Sequence, residues 1–314
     1  MIEVDRNDGS MIQRMLGPSS EILSVTLAGN SKVFIVKKNK KSLVVKKYLG
    51  SIERINLSMN REIDALTFLK SKEIRSVPEL IQFDRNERIV IMEYLSGTTP
   101  RANSESIEAI IKFAKLLNEV FMKDANFGYA IDGIIKTSDL FAQIESRIFS
   151  LESTNSDSQL LAEAKYSILS LKSQNLEDKI WSATYSVSDL GLHNMVRGRK
   201  GIRFFDLEFF GADSPIKVIG DFLLHPKNSF PNILRHRFFS ELKQVYGVTE
   251  SSIVESLPII ALKWYMIVLP RLYSKTYLPL GYSHDEAVSL AENYLRMSRS
   301  SGDEILHRAV YYKS

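Results

Sequence analysis

The stretch from Ser188 to Asp206 constrains this chain more than any other. Ser188-Asp189-Leu190-Gly191-Leu192-His193-Asn194-Met195-Val196 runs through the turn Arg197-Gly198-Arg199-Lys200-Gly201 into Ile202-Arg203-Phe204-Phe205-Asp206. Two short apolar runs around a glycine-containing turn predict a β-hairpin. That hairpin carries Asp189 and Asn194 at its entry, five positions apart, and Asp206 at its exit. Transfer of a phosphoryl group needs such a set: one carboxylate to orient a hydroxyl and take its proton, plus an amide oxygen and a carboxylate to hold magnesium. Asp189 or Asn194 alone is equally well explained as a turn cap. The ordered set along one hairpin carries the chemistry.

The rest of the composition narrows the class. At 314 residues the chain suits two domains or one large two-part unit, and its 44% apolar and 25% charged residues are ordinary for a soluble globular protein. With no cysteine, disulfides, zinc-thiolate sites and thiol nucleophiles are excluded, and a reducing compartment fits. The opening Met-Ile-Glu-Val-Asp-Arg-Asn-Asp has no basic region followed by an apolar core, and no apolar run is judged long enough for a membrane span. A cytoplasmic protein with no membrane partner is expected. Net charge is only +4, and the densest basic cluster, Lys37 to Lys47, holds six lysines with only Tyr48 close by. Nucleic-acid binding wants basic residues interleaved with stacking aromatics, so no nucleic-acid partner is expected.

Read in order, a short helix around Met11–Leu16 ends at Gly17-Pro18, and an antiparallel meander follows. Its strands are Glu21–Leu27, with Leu23, Val25 and Leu27 on one face, then Val33–Val36 and Ser42–Tyr48. Lys46 and Lys47 close the third strand and point to opposite faces. Glu53 to Lys70 reads as a helix with the apolar stripe Met59, Ile63, Leu66 and Leu69. Glu62 lies at the margin of that stripe, where a carboxylate needs a partner. Ile81–Phe83 and Arg88–Met92 predict a hairpin, and from Ser104 the pattern turns helical, broken by a polar loop at 151–158.

At this point a family shows itself. The order strand lysine, helix glutamate, Asp-x4-Asn, hairpin and Phe-Phe-Asp-Leu-Glu resembles the aminoglycoside phosphotransferase and choline kinase-like group, small-molecule relatives of the protein kinases. The likeness covers about residues 21 to 225. It implies an α+β, protein kinase-like bilobal fold, with residues 1–95 as the N-lobe and 96–314 as the helical C-lobe. It implies Lys46 as the lysine that grips nucleotide phosphates, since its spacing fits better than that of Lys47, with Glu62 holding its ammonium. Gly29, in the first turn, would lie over the phosphates. The backbone of Glu93 and Leu95 would meet the adenine edge, with Met92 behind it. Asp189 would be the catalytic base, and Asn194 and Asp206 the magnesium ligands. Glu208 would bind a second metal or pair with a lysine, and Asp221 would support the catalytic loop.

One departure stands out. Most of the family has His-Gly before the catalytic aspartate, where this chain has Val187 and Ser188. Versions reading Ser-Asp-Phe-Gly-x-His-Asn look like a branch found among bacterial surface-polysaccharide genes, and His193 falls inside that signature, read here as a packed supporting side chain rather than a metal ligand. The resemblance implies transfer from ATP, with GTP as the alternative, to the hydroxyl of a small molecule, a sugar or amino-sugar ahead of a choline-like alcohol. An aminoglycoside kinase ranks behind these, because Glu255, Asp285, Glu286 and Glu292 do not make the C-terminal region conspicuously acidic. A pseudokinase that binds nucleotide without transfer is the reading from another class. Arg271, Tyr273, Tyr277 and Tyr282 are candidates for an acceptor site, against plain surface packing. A monomer or homodimer is expected.

Overall fold

The computed structural model describes residues 6–28, 30–153, 159–174, 178–273 and 283–311. They form two compact units, one of Met1–Pro100 with Asn194–Phe210, the other of Arg101–His193 with Gly211–Ser314.

The first unit is built on an antiparallel sheet of five strands: β1 (Glu21–Ala28), β2 (Ser31–Lys38), β3 (Lys41–Tyr48), β4 (Leu80–Asp84) and β5 (Ile89–Glu93), in the order β1-β2-β3-β5-β4. Helix α1 (Arg6–Leu16) covers one face, packing Met11, Ile12 and Leu16 against Phe34, Val36, Val45, Ile89 and Ile91. Helix α2 (Ile52–Ser71) starts where the Ser51 hydroxyl caps the Arg54 N–H, and buries the expected stripe of Met59, Ile63, Leu66 and Leu69. The face expected of β1 differs. Its pairing with β2 shifts between Ile22 and Ser24, so Ile22 and Val25 pack on the core while Leu23 and Leu27 are exposed. An extra residue in a strand turns every later side chain over, which is why plain alternation fails there.

The hairpin expected after Asn194 is present: β7 (Met195–Gly198) pairs with β8 (Gly201–Phe204), and it belongs to the first unit. It is tied there by Thr98 and Arg197, which exchange both backbone hydrogen bonds, and by the Phe204 N–H to the Ser76 carbonyl at 2.7 Å. The absence of a side chain at Gly198 permits the approach, since a Cβ there would fall 2.4 Å from the Ser96 carbonyl oxygen.

The second unit is mostly helical: α3 (Ser104–Lys123), α4 (Thr137–Glu152), α5 (Gln159–Ser173), α6 (Pro215–Leu224), α7 (Asn232–Tyr246), α8 (Glu250–Val268), α9 (Pro270–Tyr273), α10 (His284–Ser298) and α11 (Gly302–Leu306). A short ladder of β6 (Thr184–Ser186) with β9 (Gly211–Asp213) completes it. Helix α8 is the axis, buried almost all round from Leu257 to Met266. With the turn that follows, Glu250–Tyr273 is long and apolar enough to cross a membrane, contrary to the sequence expectation. Yet 78% of its most apolar window is buried inside the unit, as a core helix requires. Pro258 lies inside α8 and cannot donate to the carbonyl of Val254, four residues back. Gly302 opens α11 directly against that carbonyl, where a Cβ would fall 1.9 Å from its oxygen.

Candidate active site

Strand alternation sorts the lysines of β3. Lys47 faces α1 and donates to Asp8 at 2.9 Å, where Lys32 also pairs. Lys46 faces α2, is only 7% exposed, and lies 3.2 Å from Glu62, 2.7 Å from Asp206 and 3.3 Å from Glu208. Tyr48, two residues on and therefore on the same face, donates its hydroxyl to Glu62 Oε2, while the Leu207 N–H donates to Oε1 at 3.2 Å. Glu62 is thus held by a phenol, a backbone amide and an ammonium, as a buried carboxylate requires. Burial opposes the charge on Lys46, but Asp206, then Glu62, outweigh it and hold its pKa well above the usual lysine value. Glu208 is pushed up, first by burial and then by Asp206 and Glu62, against the pull of Lys46 and a hydrogen bond from Asn30. One ammonium faces three carboxylates, and the last of them resists ionising.

The backbone at Asp206 is left-handed, φ +66°, a conformation that costs energy for a residue with a Cβ and concentrates at functional sites. Asn194 is buried just before β7, and its carbonyl accepts from the Phe205 N–H at 3.0 Å, closing the hairpin beneath Asp206. At the end of β5, Met92 is buried and the Glu93 N–H bonds the Glu79 carbonyl at 2.9 Å. The Glu93 carboxylate takes a two-pronged contact from Arg203 of β8, at 2.6 and 2.7 Å, which holds its pKa down. Leu95 is half-buried beyond the strand. Gly29 lies outside the described residues, as do Tyr277 and Tyr282; its neighbour Asn30 reaches the Glu208 carboxylate at 3.3 and 3.4 Å.

Asp189 belongs to the second unit. The ladder β6–β9 sets Ser186 opposite Gly211 and delivers the chain to a tight turn. There the Asp189 N–H bonds the Val187 carbonyl at 2.8 Å about Ser188, whose φ is +61°. A three-residue turn with a left-handed centre is a strained γ-turn. The Asp189 carboxylate meets two imidazoles: Oδ2 lies 3.2 Å from His193 Nε2 and Oδ1 lies 3.0 Å from His225 Nε2. Burial raises the Asp189 pKa, yet His193 and His225 more than offset it and hold the carboxyl far below the ordinary range. A carboxyl so depressed favours its ionised form, which is suited to accepting a hydrogen bond from a hydroxyl. Asp221 accepts from Lys263 at 2.6 Å and from the Trp264 indole at 3.0 Å, so the side chain expected beneath the loop is committed to α8.

Several contributors escape a reading of the sequence. Tyr48 was legible only through the period-two rule applied from Lys46. His225 ends α6, far along the chain from Asp189, and Asn228 follows it; neither carries a local signal. Asn228 receives the Leu192 N–H at 3.3 Å and donates to the Leu190 carbonyl at 3.1 Å, fastening the Asp189 loop to the turn that carries His225.

No family model matches the chain, and no curated protein matches it in sequence. Solved structures do. The chain is similar to the choline kinase LicA from Streptococcus pneumoniae, with TM-score 0.65 at 17% identity, covering 92% of this chain and 96% of that one. It is similar to APH(2'')-IIa in its gentamicin complex, TM-score 0.63 at 15% identity over 97% and 99%. It is similar to the ADP-bound aminoglycoside phosphotransferase APH(2'')-Ib, TM-score 0.61 at 15% identity over 96% and 99%. At such identities the likeness establishes the fold: the α+β, kinase-like architecture that the sequence implied is the one this chain adopts.

Proposed function

We propose that the protein is a phosphotransferase that uses ATP and magnesium to phosphorylate a hydroxyl of a small molecule, with a sugar or amino-sugar ahead of a choline-like alcohol. The observation that carries the reading is the unbalanced charge around Lys46, where one ammonium faces Glu62, Asp206 and Glu208. A divalent cation balances that excess, and hard oxygen donors are what magnesium selects. Asp206 and Glu208, with Asn194, would hold it. Bound magnesium would neutralise charge on the transferring phosphates. Lys46, kept protonated by its partners, supplies a fixed positive charge for phosphate oxygens, and Glu62 and Tyr48 hold its stem in place. Asp189 orients the acceptor hydroxyl and takes its proton late, once transfer has made that oxygen acidic; its depressed pKa keeps it ionised for the orienting role but makes it a weak base.

The order of acceptors rests on charge. Of the four C-terminal carboxylates that would welcome a polycation, Glu255 pairs with Lys179 at 2.9 Å and Glu286 caps α10 through Ser283. Those engagements support an uncharged or weakly charged acceptor over an aminoglycoside.

The test is a transfer screen with magnesium ATP and GTP over sugars, amino-sugars, choline, ethanolamine and aminoglycosides, reading phosphorylated products by mass. Asp189→Asn should abolish product while keeping the rise in melting temperature that nucleotide gives, and Asp206→Ala should lose product and the magnesium-dependent part of that rise. Nucleotide stabilisation with no product anywhere would leave a nucleotide-binding scaffold. Product from aminoglycosides alone would reverse the order of acceptors.

A further inference from the structure

The proposed mechanism leaves two imidazoles without a task, one half-buried and one buried. His193 and His225 both face Asp189, and all three ligand atoms lie within 4.8 Å of one another. A carboxylate and two imidazoles so placed are a possible metal centre or a hydrogen-bonded support, and the far nitrogen of each ring decides between them. Metal-bound histidines donate their other N–H to an acceptor. His225 does the reverse: its Nδ1 accepts the backbone N–H of Lys227 at 3.0 Å. A neutral imidazole whose Nδ1 accepts must carry its proton on Nε2, and that nitrogen lies 3.0 Å from Asp189 Oδ1.

We propose that His225 is the positioning residue of Asp189, setting its Nε2–H against one carboxylate oxygen, with His193 steadying the other, so that the lone pair offered to an acceptor hydroxyl has one fixed direction. The proposal rests on the reading of Asp189 as the residue that orients the hydroxyl.

The His225 ring is constrained on every side the structure describes. Its Nδ1 is fixed by Lys227, the Trp264 ring meets it edge-on at 4.9 Å, and His193 stacks on it at 5.1 Å with 25° between planes. Trp264 is itself fixed through its indole N–H to Asp221. Asn228 bonds both the Asp189 loop and the carbonyl of Phe222 in α6, so the two ends of the His225–Asp189 contact cannot drift apart independently. Gly191 completes the arrangement: a Cβ there would fall 2.3 Å from His193 Cε1 and Nδ1 and 3.2 Å from His225 Cε1. The glycine is needed for space, which couples Gly191 and His193 within Gly-Leu-His. A side chain held by this many independent contacts is built for direction, and misplacing a reacting group by an ångström costs on the order of a hundredfold in rate.

The test compares His225→Phe, which keeps ring volume for the stack and the edge contact but loses the donor, with His225→Gln, which restores an N–H at the same reach. ADP formation from magnesium ATP is measured with the pooled sugar, amino-sugar and choline panel, beside melting temperature and long-range nitrogen–proton spectra of the imidazoles. The expected result is a protonated Nε2 and bare Nδ1 on His225 in the parent. His225→Phe should then lose kcat by about tenfold to a hundredfold with the KM for ATP unchanged, and His225→Gln should recover most of the loss. A parent-like kcat in His225→Phe beside an inactive Asp189→Asn overturns the proposal alone, whereas a parent-like Asp189→Asn overturns the reading of Asp189 and this inference with it. A protonated Nδ1, or stoichiometric zinc binding that His225→Phe removes, makes the cluster a metal centre and also overturns it. If His225→Phe melts early without losing kcat at low temperature, the ring serves packing only, and the proposal fails.

Discussion

Each unit buries a cluster of charges, and the two are balanced differently. In the second, Asp213, Lys217, Asp221 and Lys263 alternate in sign: Lys217 pairs with Asp213 and lies 3.6 Å from Asp221, which binds Lys263. Two cations face two anions, and the Ile134 N–H and Trp264 indole fill remaining acceptor positions. In the first, among the described residues, Lys46 faces three carboxylates as their one paired cation. A closed, neutral network is what a protein core tolerates, because every desolvated charge has its partner. An open network with surplus negative charge is tolerated only where something else completes it. Lys46, Glu62 and Glu208 are as buried as the second cluster, whereas the Asp206 side chain is 38% exposed, so charge balance and access at Asp206 both separate the two.

The comparison can be broken at its strongest point first. Asp221→Leu leaves Lys263 and Lys217 short of an anion and should destabilise the protein by about 3–5 kcal/mol in urea unfolding, with most of it regained in Asp221→Leu with Lys263→Met. A double variant as weak as the single would show that the network is not closed as described. Asp8→Asn tests a buried anion of the first unit that is not part of the open cluster. Burial raises the Asp8 pKa, but Lys32 and Lys47 bring it below the usual value of 3.8. Its contribution is therefore present above pH 3.8 and is lost as the pH falls through the folded value. The variant should lose about 2 kcal/mol at neutral pH and show a flatter acid limb, and an unchanged limb would remove Asp8 from that account.

Glu208→Gln should behave in the opposite sense. A carboxyl raised above 4.5 stabilises the fold below that value and loses its contribution as the pH rises through the folded value. Without magnesium the variant should be more stable than the parent by about 1 kcal/mol at pH 8, while its magnesium-induced rise in melting temperature shrinks. Lower stability without magnesium would mean that the cluster is already balanced. The smallest effect belongs to Ser188, whose left-handed backbone suits glycine: Ser188→Gly should shift stability by less than about 0.5 kcal/mol, whereas Ser188→Val should cost about 2 kcal/mol. Equal losses in both would place the cost in the Ser188 hydroxyl, which lies 3.4 Å from Asp213, and not in its backbone.

What the sequence revealed follows from how far each signal reaches. Lys46 and Glu62 sit on elements whose periodicity is plain, so the face of each could be read from neighbours two or four positions away. Asp206 and Glu208 follow a hairpin that its own turn residues announce. The face of β1 was misread because an extra residue near Leu23 leaves no compositional mark. His225 and Asn228 were invisible for a different reason: their meeting with the Asp189 loop depends on where α6 ends and how α8 packs, and no local pattern encodes that. The family's histidine is absent at Val187, and the imidazoles that face Asp189 are those of His193 and His225.

Because Asn194–Phe210 belongs by packing to the first unit, that unit is not a continuous stretch of chain. A growing polypeptide that has emerged only as far as Pro100 lacks Asp206 and Glu208, and Lys46 has only Glu62 to answer it. The ribosome must therefore deliver much of the helical unit before the sheet unit can be completed, which delays closure of its most distant contacts. Any cut between Pro100 and Asn194 would separate the ammonium from two of its three carboxylates, so the sheet unit should not survive as an excised fragment.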